Sequence, residues 1–307
     1  MFPPAQLALP AAIRNYARYR TEPEKWMLGR FICPVVKLTD LSPFVDELFP
    51  SGPSFNVSVI GRSGRDNSAF VEALRLDLED ISALRKKHGN RVNVSVLETK
   101  LPIDALLGDA TRARNLLEKC NTMIEAHGPP ELVVYYEVGV GSTWKETIPA
   151  VVSVIAAHRE LPRERSLPPG FKLRTGGVDS AAFPSPEEVA GVICACRDAR
   201  VPVKCTAGLH HPIRRHDDGV ETKMHGFLNV FGAAVLATAH QLGPDATADI
   251  LNDENAADFR FDEDRFHCRE LSASIAQIET ARQEFIISFG SCSFDEPRED
   301  LRTLGLM

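Results

Sequence analysis

A strand-then-helix rhythm runs through the first two thirds of the chain, and it constrains the fold more than any other feature. Short apolar, β-branched segments fall at 29–38 (GRFICPVVKL), 55–61 (FNVSVIG), 92–97 (VNVSVL) and 132–136 (LVVYY), then around Lys172 and around Lys204. Helical segments separate them. One runs from Leu41 to Leu48. A long one, capped by Asp66 or Asn67, runs to Lys87 and stops at Gly89. Another runs from about Asp109 to Ala126 before Gly128-Pro129-Pro130. The next is capped by Ser142 or Thr143 and ends near Glu160. Ser185-Pro186-Glu187-Glu188 reads as a capping box with proline at the first helical position, opening a helix over Glu187–Ala199.

Strands that alternate with helices imply right-handed βαβ units and a parallel sheet. Apolar residues on both strand faces fit a sheet covered by helices. The expected architecture is therefore a (β/α)8 TIM-type barrel. A doubly wound open sheet is the alternative, weakened because no GxGxxG follows the first strand. The last third is less regular. Residues 212–224 read as a polar loop. Met224–Gln241 reads as a buried helix, or as a seventh strand followed by a helix. A hairpin is expected around Asp262-Glu263-Asp264, an amphipathic helix over Leu271–Gln283, and a last strand over Phe285–Phe289. The expectation is one barrel domain over 1–307, elaborated at 212–283.

A formal net charge of −7 argues against nucleic acid, because no basic excess is present to release counterions. No apolar run approaches the roughly 18–20 residues that cross a bilayer. The start, Met1 to Ala5, lacks the basic residues of a signal peptide, and the seven cysteines form no CxxC pair. These features set the expectation of a cytoplasmic protein with reduced thiols, no cofactor and no membrane partner, with homo-oligomerisation left open.

Residues at the C-terminal ends of barrel strands face the active site. In order these are Lys37, Arg62, Glu98, Glu137, Lys172 with Arg174, Lys204 with Thr206, and Gly290-Ser291. Side chains alternate along a strand, so Lys172 and Arg174 share one face, as do Lys204 and Thr206. Amines crowded together away from water lose their protons more readily, which is one route to a Schiff-base lysine. Lys172 is the expected nucleophile, with Lys204 beside it. Glu98 and Glu137 are candidates for counter-charge, proton transfer or metal ligation. Gly290 and Ser291 are candidates for anion binding, with Arg62 adding positive charge. The run Gly208-Leu209-His210-His211-Pro212, followed by His216 and His225, offers a proton-transfer histidine, His210 first, since imidazole titrates near neutral pH. A metal held by His210 or His211 with His225 and a carboxylate is the competing use. His225 and Asn229, four apart, would share a helix face.

Lys172-Leu173-Arg174-Thr175-Gly176 resembles the K-x-x-T-G strand of the deoxyribose-phosphate aldolases, class I aldolases on a (β/α)8 barrel. Val203-Lys204-Cys205-Thr206-Ala207-Gly208 is similar to that family's next-strand lysine segment. The resemblance implies that Lys172 forms the imine, that Lys204 tunes it, that Glu137 serves as an acidic relay and that Gly290-Ser291 binds phosphate. Three functions stay open: an aldolase-like lyase acting on a small oxo-acid or sugar phosphate, a metal-dependent barrel enzyme with Glu and His ligands, and a non-catalytic barrel that binds an anionic metabolite.

Overall fold

The computed structural model describes residues 6–102, 110–139 and 143–307. The described residues form an α/β fold in which each unit contains parallel strands. It divides into two compact units. Of the described residues, those within 6–138 and 153–170 form one and those within 139–152 and 171–307 form the other. Asp109 and Ser142, expected at helix starts, lie outside the described residues.

The first unit orders its strands β1 (Phe31–Pro34), β2 (Phe55–Ile60), β3 (Val92–Lys100) and β4 (Val133–Glu137) consecutively. The expected first strand, 29–38, is cut short. Val35–Lys37 turn into a 3-10 turn and α2 (Leu38–Leu48) follows directly. Pro34 has no N–H to extend the ladder, and Lys37 ends exposed in an ion pair with Asp40. α1 (Leu9–Tyr19) precedes the strands and lies outside the alternation that reveals the others. Its Ile13 and Tyr16 are buried, and Tyr16 sits edge-on to Phe31 and Phe55 while its hydroxyl donates to the Gly29 carbonyl. α3 (Asn67–His88) is capped as expected, with the Asp66 side chain accepting from the Ala69 N–H and Gly89 closing it at φ 57°. α4 spans Ala110–His127 and α5 spans Trp144–Arg159.

The second unit orders β5 (Gly170–Arg174), β6 (Val203–Thr206) and β12 (Ile286–Gly290) side by side and parallel. α6 (Pro186–Asp198) joins β5 to β6 and carries both halves of the expected capping box. The expected loop at 212–224 contains an antiparallel pair, β7 (Arg215–Asp217) with β8 (Thr222–Met224). The apolar segment after it is one helix, α7 (Phe227–His240), so no seventh parallel strand forms there. Its burial on nearly every face is the reason its sequence lacks amphipathic periodicity. α8 (Pro244–Leu251) follows. The hairpin around Asp262 is present as β9 (Phe259–Phe261) and β10 (Arg265–Cys268). A third strand, β11 (Leu271–Ser274), takes the start of the expected last helix, which begins at Ile275 under its own Ser274–Gln277 capping box as α9 (Ile275–Glu284). α10 (Asp295–Thr303) ends the chain's regular structure. Among the described residues there is no eighth parallel strand, and no helix is long and apolar enough to cross a membrane.

Gly232 marks where α7 meets the three-stranded sheet. A Cβ there would lie 2.7 Å from the ring of buried Phe266. Alanine is the better helix former by about 0.5–1 kcal/mol, but the clash outweighs that gain. Gly232→Ala is expected to destabilise by about 1–3 kcal/mol in urea unfolding, and adding Phe266→Leu should recover most of the loss. A Gly232→Ala protein as stable as the parent would refute this packing.

Candidate functional site

In the second unit, pairing in register places the expected residues in rows. Lys172 opposes Lys204, and Lys204 opposes Ser288. One step toward the C-terminal ends, Arg174 opposes Thr206, and Thr206 opposes Gly290. Residues in register on parallel neighbours project to the same side, and strand backbones lie about 4.8 Å apart. Both lysines are buried, at 3% and 6% exposure.

The opposite face identifies which side this is. Leu173, Cys205 and Phe289 form the intervening row. Phe289 stacks on Phe227 of α7 at 5.4 Å and meets Phe231 edge-on. Cys205 lies near Cys196 of α6, where burial raises both thiols' pKa values, that of Cys205 to about 12. That row faces the helices. The two lysines, Arg174 and Thr206 therefore project away from α6 and α7.

The loops that leave β5 and β6 are fastened to each other. The Thr175 N–H donates to the Thr206 carbonyl, and its buried hydroxyl lies within bonding distance of the Thr206 and Ala207 carbonyls. Ala207 and Gly208 both take positive φ, 62° and 71°. A Cβ on Gly208 would come 3.0 Å from the Thr175 carbonyl oxygen and 2.9 Å from the Phe183 ring. Glycine at 208 thus serves both the left-handed turn and the close crossing. Arg174 Nε donates to the Gly176 carbonyl within the same corner.

This turn delivers the histidines. His210 is buried, and its Nδ1 lies 3.2 Å from Glu296 Oε2 of α10 and 3.7 Å from Cys292 Sγ. Burial lowers the His210 pKa, with Glu296 opposing that shift. His211 pairs through Nδ1 with Asp300. His216 is exposed beside Asp218. His225 is fully buried, and its Nε2 donates to the Pro184 carbonyl at 2.7 Å. That bond leaves Nδ1 unprotonated, facing the Arg214 guanidinium at 3.5 Å. Burial pulls the His225 pKa down to about 4, with Arg214 adding to the shift. With one ring nitrogen donating and the other facing a cation, His225 is not placed to ligate a metal. Asn229 does share its region but points to backbone: its carbonyl accepts from the Arg214 N–H, and its amide donates to Ile250 and Asp253 carbonyls. Among the described residues no group of three His, Cys, Asp or Glu side chains is disposed to hold a metal ion.

At the end of β12, Ser291 accepts from the Ser293 N–H, and Ser293 accepts from the Glu296 N–H at the start of α10. Those hydroxyl oxygens accept from backbone N–H groups of the turn that leads into α10.

Glu98, Glu137 and Arg62 belong to the first unit. Glu98 and Glu137 share a strand face, with Glu98 opposite Tyr135 and Glu137 opposite Lys100. Glu98 is fully buried and accepts from the Ser58 hydroxyl at 2.5 Å. Arg62 is clamped between buried Asp77 and Asp80, each at 2.7 Å. Its guanidinium is committed to that clamp, so the added positive charge expected of it is already neutralised. Burial raises the Asp77 pKa to about 6 despite Arg62.

Three participants were not legible as site residues in the sequence: Thr175 as the fastener, Glu296 behind His210, and Arg214. Arg214 stands in a polar run, Arg214-Arg215-His216-Asp217-Asp218, that reads as solvated loop.

No family model matches the chain, and no curated protein sequence matches it. A solved structure described as "GH6 Orpinomyces sp. Y102 enzyme" aligns over 69% of this chain and 70% of its own, with TM-score 0.38 and 10% identity. A likeness that distant carries no argument about fold or activity.

His225 supplies a pH signature. Its folded pKa lies below the ordinary histidine value, so the unfolded chain takes up the proton first as pH falls. Stability is therefore lost on descending from about pH 6.5 toward about 4. Between pH 7 and 5 this single group removes about 2 kcal/mol. Denaturant unfolding of the parent and of His225→Gln at both pH values checks it. The variant should lose less by roughly that amount, and equal losses would contradict the buried neutral imidazole.

Proposed function

We propose that this chain is a lyase of the class I aldolase kind, built on a (β/α)8-type single domain and acting in the cytoplasm on a small anionic oxo compound. The observation that carries the reading is the register pairing of Lys172 with Lys204, both buried and both turned away from the helix layer. An amine held beside another amine and withdrawn from water is the arrangement that favours a nucleophilic lysine. All seven cysteines are free of disulfides, in keeping with a reducing compartment.

In this reading the Lys172 nitrogen attacks the substrate carbonyl carbon, and the carbinolamine loses water to give an iminium. A base removes the proton of the β-hydroxyl, the carbon–carbon bond breaks, and its electron pair flows to the iminium nitrogen as an enamine. Protonation and hydrolysis then release the second product and the free amine. His210, on the loop that leaves the Lys204 strand and backed by Glu296, is the proton-transfer candidate. The reading rests on the second unit alone and assigns no step to Glu98 or Glu137.

Borohydride reduction in the presence of small aldehydes and oxo-acids, followed by peptide mass spectrometry, tests it. The expected adduct is a reduced imine on Lys172. Lys172→Ala should abolish it and lower any turnover on the order of 10³-fold. Lys204→Ala should keep the site folded yet slow adduct formation. If neither lysine is labelled across the panel, the lyase reading is wrong.

A further inference from the structure

Arg214 is out of keeping with an ordinary arginine. It is 9% exposed, and its Nε is buried with no hydrogen-bond partner among the described residues. Its guanidinium contact is the 3.5 Å approach of Nη1 to His225 Nδ1. No carboxylate comes within ion-pair distance of it among the described residues. Glu254 and Glu187 act on it only from further away. Glu254 is engaged with Lys223, and Glu187 lies in the first turn of α6. A guanidinium keeps its proton under all ordinary conditions, so this one cannot shed its charge to escape burial. Buried charge without an ion pair costs several kcal/mol.

The residue is nevertheless held firmly. Its backbone N–H is bonded to Asn229, which is fully buried and anchored to two further carbonyls. Gly226 admits the chain at 212–213 so closely that a Cβ would lie 2.4 Å from the Pro212 carbonyl oxygen. His225 is fixed in turn by Pro184, on the segment that follows β5. Arg214 therefore stands among the connections that leave the C-terminal ends of β5 and β6, the end at which parallel α/β folds bind ligands. A charged fork whose backbone is anchored by Asn229, with a neutral imidazole beside it and no counter-ion among the described residues, is suited to receive an oxyanion.

We infer that Arg214 binds an anionic group, the carboxylate or phosphate of a small molecule. The inference extends the lyase reading by naming the residue that recognises the substrate's charge, and rests on that reading for this assignment alone.

Inorganic phosphate and acetate are titrated separately into the full-length protein, with the thermal unfolding midpoint and calorimetric heat as readouts. One of the two should give a saturable response, which also decides between phosphate and carboxylate. Arg214→Gln should weaken that response at least about tenfold, since a charge-assisted bond is lost. Without anion the variant should be no less stable than the parent, because an uncompensated buried charge has been removed. An arginine in a structural ion pair would give the opposite. Arg214→Lys keeps the charge but not the fork, so its affinity should also fall; it carries the test if circular dichroism shows the glutamine variant unfolded. No saturable response to either anion, or affinities unchanged in both variants, overturns the proposal. Borohydride trapping of a neutral aldehyde by the parent protein separates the two readings: a parent that traps nothing sinks the lyase reading and leaves the anion response standing.

Discussion

The in-register pairing of β5 with β6 is the constraint on which the second unit depends. Parallel strands in register must send opposed residues to one side, and a slip by one residue would exchange the faces. The helix-facing row, Leu173, Cys205 and Phe289, resists such a slip. Burying a phenylalanine or leucine contributes about 1.5–3 kcal/mol, and Phe289 adds two aromatic contacts to α7. A slip of either strand would drive its own lysine into that apolar layer instead. The burial of the two lysines on the other face is thus imposed by what their neighbours bury, and their side-by-side backbone positions follow from register.

The next level is the corner where the two strands end. Thr175 ties itself to Thr206 and Ala207, and the paired positive φ values at Ala207 and Gly208 turn the chain sharply. An alanine in that region is uncommon, and its strain of about 1–2 kcal/mol persists because the crossing of Gly176 and Gly208 leaves the backbone no alternative. That turn sends 209–214 across the strand ends, where Glu296 orients His210 and Asn229 holds the backbone of Arg214.

What the sequence made legible was whatever repeats or caps. The strands around Lys172 and Lys204, the Asp66 cap and the Ser185–Glu188 box all act through near neighbours in the chain. The shared face of the two lysines follows from strand alternation once the register is known. The antiparallel pair at 215–224 and strand β11 were hidden because each is only three or four residues long and has little periodicity to detect. The partners that define the site are separated widely in sequence: Glu296 from His210, Thr175 from Ala207, Asn229 from Arg214. No local pattern encodes those meetings. Arg62 shows the converse, since its position after a strand suggested a ligand contact while Asp77 and Asp80 had already claimed it.

Arg214 and His225 constrain each other's chemistry. The Pro184 carbonyl takes the Nε2 proton of His225, so the nitrogen facing Arg214 presents a lone pair. Protonating His225 would replace that lone pair with an N–H and set two cations against each other in a dry environment. Arg214 is among the causes that depress the His225 pKa, and the distant carboxylates Glu187 and Glu254 offset only part of the arginine's burial. Burial is the main cause of the low His225 pKa and would persist, so an anion placed on Arg214 would cancel only the arginine's share and raise that pKa part of the way from about 4. The same buried pair thereby links anion occupancy to proton uptake, and the linkage needs no movement of the fold.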